Sequence, residues 1–120
     1  MAKVFSFTVE SRGGLDLIDI TPFVAEKVKG VNKGLALVFP RDPLCRLLTL
    51  EYEYRLVEDV KELVKGLKGS SHVKASVFSP SVIVPVERGG LVLGAFQQLV
   101  LIDFNEKGGA REVMVTVIEG

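Results

Sequence analysis

Hydrophobic and polar positions change period several times along this chain, and each change marks an element. Val4, Ser6 and Thr8 alternate with Phe5, Phe7 and Val9, the pattern of a half-buried strand. Ser11-Arg12-Gly13-Gly14 reads as a turn. Asp19-Ile20-Thr21-Pro22 opens a helix, with Thr21 as the N-cap and Pro22 where its missing N–H costs nothing. Phe23, Val24, Val28 and Val31 follow at helical spacing, and the glycines at Gly30 and Gly34 stop it. Leu35 to Phe39 is a short apolar run, hence a buried strand, which Pro40-Arg41-Asp42-Pro43 interrupts. Leu47 to Tyr54 alternates again, with Leu48, Leu50, Tyr52 and Tyr54 on one face.

From Val57 to Leu67 the period becomes helical. Val57, Val60, Leu63, Val64 and Leu67 form one stripe, and Glu58, Asp59, Lys61, Glu62 and Lys65 lie opposite. Gly66 and Gly69 close it. From His72 onward strands are predicted throughout: Val73 to Phe78, Val82 to Val86, Leu91 to Leu93, Phe96 to Phe104 and Glu112 to Ile118. Arg88-Gly89-Gly90 is a hairpin signal. The pattern is α+β, mainly antiparallel sheets with two helices, in one domain over residues 1–120.

Composition narrows the function classes. With 48% hydrophobic residues the chain carries too much apolar surface for a disordered protein. Fifteen Lys and Arg balance fifteen Asp and Glu, so the one-sided basic field of a nucleic-acid binder is missing. Apolar runs are strand-length, so no membrane span is expected, and one cysteine with no apolar leader points to the cytoplasm. Few Asn and Gln beside many Lys and Glu lean towards a thermophile. A mean hydropathy of +0.34 is high for a small chain, and leftover apolar surface points to an oligomer.

Candidate chemistry is sparse. His72 is the only histidine, so a metal site made of several histidines of one chain is excluded. As a catalytic acid or base it stands alone, and a surface histidine at a strand end is the plainer reading. Ser70, Ser71, Ser79 and Ser81 lie among turn residues, without a nucleophile elbow. Cys45 reads as a small core residue. Arg41 and Asp42 form a charged pair on a rigid turn directly after a buried strand, where binding groups are often placed. Gln97 and Gln98 are half of the four side-chain amides, and period two turns one of them inward, where it needs partners.

Several blocks resemble the YjbQ-like family, some members of which are described as secondary thiamine-phosphate synthases. They are Asp19-Ile20-Thr21, Gly34 to Pro40, Ser71-His72-Val73-Lys74-Ala75-Ser76, Pro80 to Val86, Gly90 to Gln97 and Val113 to Ile118. The resemblance spans nearly the whole chain. It implies a β-rich α+β domain, a homotrimer, and a small pocket lined by histidines that holds a metal or an anion.

The departures lie in that pocket. Where the family carries His-Thr-Thr after its Phe-x-Pro strand, this chain has Arg41-Asp42-Pro43. The loop with the family's second histidine is shortened to Gly66 through Ser70, and Phe96 replaces a tryptophan. No metal and no other cofactor is therefore expected. A guanidinium suits phosphate or carboxylate bidentately. The expected ligand is a small anionic or phosphorylated molecule, bound by Arg41, Asp42, Lys74 and Gln97 with His72 as the catalytic candidate. The rival expectation is a structural homotrimer whose pocket has decayed through neutralisation of Arg41 by Asp42.

Overall fold

The computed structural model describes residues 2–120, in which two antiparallel sheets share one core. The elements are β1 (Ala2–Ser11), β2 (Asp16–Asp19), α1 (Thr21–Val28), β3 (Lys33–Pro40), β4 (Cys45–Leu50), α2 (Tyr54–Gly66), α3 (Ser71–Ala75), β5 (Val82–Glu87), β6 (Gly90–Leu91), β7 (Gln98–Asp103) and β8 (Gly109–Glu119). The larger sheet runs β1-β8-β3-β5-β6 and the smaller β2-β7-β4. The α+β class read from the sequence holds, with a third helix added.

Alternation sets the layers. In β3 the inward residues are Ala36, Val38 and Pro40; in β8 they are Val113, Val115 and Val117. They meet Leu47, Leu99 and Leu101 of the smaller sheet, with Val24 and Val28 of α1. β7 is buried on both faces, since Val100 and Ile102 turn the other way, onto Val64 of α2 and Ala75 of α3. The order is therefore sheet, sheet, helices. Among the described residues nothing layers over the outer face of the larger sheet. Gly34 is required where β3 meets β8, because a Cβ there would run into the Ile118 carbonyl oxygen.

Three local expectations are corrected, and one strand was missed. Leu47 to Tyr54 is not one strand: β4 ends at Leu50, and the Glu53 carboxylate accepts from Arg55 N at 3.2 Å and Leu56 N at 3.3 Å. That cap starts α2 three residues before the predicted stripe. Val73 to Phe78 is not a strand, because the Ser70 hydroxyl accepts from Val73 N at 3.4 Å and Ala75 is buried against the smaller sheet. A local cap and one buried alanine outweigh the β-branched composition. β2 goes unread in the sequence because only Leu17 and Ile18 stand between two aspartates. At α1 the cap is shifted: Thr21 is already helical, its N–H donates to Asp19 Oδ1 at 3.0 Å, and its hydroxyl accepts from Leu99 N at 2.8 Å.

Candidate functional site

β3 ends at Pro40 and delivers Arg41 and Asp42 to the rim of a cavity of about 240 Å³. The short return to β4 closes it with Cys45 and Arg46, and Phe39 and Pro80 complete the wall. The turn is held locally. Asp42 Oδ1 accepts from Leu44 N at 2.8 Å, and Arg41 N donates to the Glu112 carbonyl at 3.0 Å. Arg41 reaches Glu112 Oε1, not Asp42, with Nη1 at 3.5 Å, and both side chains are well exposed. Such a pair contributes at most a few tenths of a kcal/mol to about 1 kcal/mol, so it leaves the guanidinium available.

Arg46 is the residue the sequence reading missed. Its Nε is buried and has no hydrogen-bond partner among the described residues. An unmet buried donor costs about 1–3 kcal/mol, and a charged one more. No sequence signal singled it out, because the predicted strand begins one residue later, at Leu47.

Behind the cavity lies a buried anion. Asp103, fully buried at the end of β7, accepts from the Ser11 hydroxyl at 2.6 Å, Arg111 Nε at 2.8 Å, and Asn105 N and Nδ2 at 3.0 and 2.8 Å. Burial pushes its carboxyl up, but the hydrogen bonds from Ser11, Asn105 and Arg111 outweigh burial and hold it below the usual carboxylate value. The Cys45 thiol donates to Asp103 Oδ1 at 3.5 Å. Burial, together with the charges of Asp103 and Asp42, pushes that thiol up to about 12. Cys45 is therefore a neutral wall of the cavity and not a nucleophile.

The other expected residues are dispersed within the protomer. His72 is exposed on α3 and lines neither this cavity nor the one at Lys74. Lys74 lines a separate cavity beside α2. Gln97 is exposed, and its Oε1 accepts from Gly94 N at 3.2 Å. Gln98 is the inward amide: its Nε2 donates to Asp19 Oδ2 at 2.5 Å and its Oε1 accepts from Tyr52 N at 2.9 Å. Among the described residues no three His, Cys, Asp or Glu side chains come together as a metal would need. One carboxylate and a protonated thiol beside two guanidinia do not fit a divalent cation, so no metal chemistry is assigned to this cavity.

The family model described as "UPF0047 protein YjbQ-like" matches residues 5–120. The chain belongs to the YjbQ-like UPF0047 family. A UPF0047 protein of Archaeoglobus fulgidus is 32% identical over 112 residues, covering 82% of this chain and 88% of the relative. A solved structure from C. acetobutylicum matches with a TM-score of 0.89 at 26% identity, over 97% of this chain and 99% of that one. A YbjQ-like protein of unknown function from Sulfolobus solfataricus matches with a TM-score of 0.83 at 22% identity, over the full length of both chains. That last likeness shows the fold alone. None of these relatives brings a thiamine-phosphate synthase activity or a ligand to this chain.

Proposed function

We propose that this YjbQ-like protein binds a small phosphorylated or other doubly charged anion in the cavity between Arg41 and Arg46, without a metal. The observation that carries the reading is that Arg41 and Arg46 line one cavity and that Arg46 Nε is buried with no partner among the described residues. An oxyanion supplies the acceptor that this donor lacks. The cavity is smaller than the roughly 300–1,000 Å³ of sites for drug-sized ligands, which favours a compact group such as a phosphate ester. The reading stops at binding, because His72, the acid–base candidate, does not line the cavity. Isothermal titration with inorganic phosphate and pyrophosphate tests it. Arg41→Ala and Arg46→Met are each expected to weaken binding at least about tenfold, the loss of one charge-assisted bond. Equal affinity in both variants, or no binding by the parent protein, rejects the reading.

A second reading rests on the uncovered sheet face. Val4, Leu35, Phe39, Ile83 and Ile118 point outward and are each more than 40% exposed. Register places Leu35 opposite Ile118 and Leu37 opposite Ile83, so the apolar surface is continuous across β8, β3 and β5. A sheet with two apolar faces needs cover on both. We infer that copies of the chain supply it, in the homotrimer that the family resemblance implies. Light scattering of the parent protein and of Ile83→Asp checks this: a trimer that the charge dissociates supports it, and a monomeric parent protein rejects it.

A further inference from the structure

The second cavity, about 230 Å³ in volume, is bounded by elements that lie far apart in the sequence. Its floor is apolar. Val64 of α2 and Phe104 after β7 are buried there, and Leu15 packs against the same cluster. Its rim is charged. Lys74 on α3, Lys65 on α2 and Glu106 in the β7–β8 turn surround the opening.

These charges are unequally engaged. Lys65 Nζ lies 3.6 Å from Glu62 Oε1, its neighbour on the same helix. Lys74, half-buried, and Glu106 enter no ion pair among the described residues, although both line the one cavity. A cation and an anion on one rim, too far apart to neutralise each other, form a bipolar opening over an apolar floor.

Part of the lining is held in a conformation that costs energy. Leu15 has φ +66°, in the left-handed region, directly after Gly13 at +74° and Gly14 at +62°. For a residue with a branched side chain this costs about 1–2 kcal/mol. Such strain persists where surrounding structure over-determines it, and binding sites are a common setting. Gly14 also leaves the wall open, since a Cβ there would touch nothing within 4 Å.

We propose that this cavity binds a small apolar α-amino acid. Its carboxylate meets the Lys74 ammonium, its α-ammonium meets Glu106, and its side chain covers Leu15, Val64 and Phe104. A ligand with only one charge would leave the opposite rim group unpaired beside it, which is the device that rejects simple fatty acids and amines. The site is separate from the Arg41–Arg46 cavity and shares no lining residue with it.

Thermal unfolding with L-leucine, L-phenylalanine, 4-methylpentanoate and 3-methylbutylamine tests the proposal. A ligand that binds only the native state raises Tm with its concentration. One or both amino acids are expected to raise Tm, and the two singly charged compounds to need at least about tenfold more for the same shift. Lys74→Gln, at a half-buried residue, and Glu106→Gln, at an exposed one, are expected to keep the ligand-free Tm and lose most of the shift. No shift with either amino acid overturns the proposal. So does a shift retained in both variants, or a monocharged compound as effective as its zwitterion.

Discussion

Arg111 Nε donates to Asp103 Oδ2 at 2.8 Å, and this bond joins the two sheets at one end of the sandwich. Asp103 ends β7 in the smaller sheet, and Arg111 lies near the start of β8 in the larger one. Ser11 adds the last residue of β1 to the same carboxylate. The guanidinium also donates to the Lys107 carbonyl at 2.5 Å, so it fixes the turn between its own strand and its partner's. A fully buried carboxylate is tolerable only because every neighbouring donor is aimed at it.

Removing one partner leaves the other as an unmet buried group. Arg111→Met is expected to lower unfolding free energy by about 3–5 kcal/mol, whereas Ser11→Ala costs about 1–2 kcal/mol. Urea unfolding measures both. Asp103→Asn combined with Arg111→Met is expected to lose less than the sum of the single variants, since the two groups share one interaction.

The same carboxylate sets an acid limit. Its folded value lies below the unfolded value of 3.8, so the unfolded chain takes up the proton first as pH falls. The stabilisation is complete above 3.8 and is lost as pH drops from there through the folded value. Stability measured between neutral pH and strong acid is expected to fall below that point. In Asp103→Asn this part of the fall is expected to be absent.

Cys45 is 2% exposed and its thiol is pushed up to about 12. The folded protein is expected to resist alkylation by iodoacetamide at mildly alkaline pH and to react fully in denaturant. Mass spectrometry of the alkylated chain decides. Rapid labelling of the folded protein would mean that the Asp103 end opens.

The adjacent amides separate cleanly. Gln98→Ala removes the acceptor for Tyr52 N and the donor to Asp19, and is expected to cost about 1–2 kcal/mol. Gln97→Ala, at an exposed side chain, is expected to stay within about 0.5 kcal/mol. Denaturant midpoints of the two variants give the comparison.

The sequence by itself determined most elements and their apolar faces, because period two and period 3.6 are properties of neighbouring residues. The alternation in β1 and β8 and the α2 stripe follow from spacing alone, whereas Gln97 lies in a turn before β7, so strand spacing does not separate it from Gln98. Local chemistry was harder to read where two rules competed. At Ser71 to Ala75 a serine cap and one buried alanine overrode β-branched neighbours. At Leu47 to Tyr54 the Glu53 cap ended an alternation that side-chain type would have continued.

Only the tertiary structure decided which charges meet. Arg41 and Asp42 are adjacent in sequence, yet Arg41 reaches Glu112, 71 positions away, because β8 lies beside β3. Lys74 and Arg41 were expected around one ligand, but α3 carries the lysine to the helix side of the smaller sheet. Arg46 lies just before the predicted strand Leu47 to Tyr54, and only the fold brings it to the same cavity as Arg41. Periodicity reports the face on which a side chain lies. A binding site depends on distances between faces, and packing of β4 and β7 against the larger sheet sets those distances.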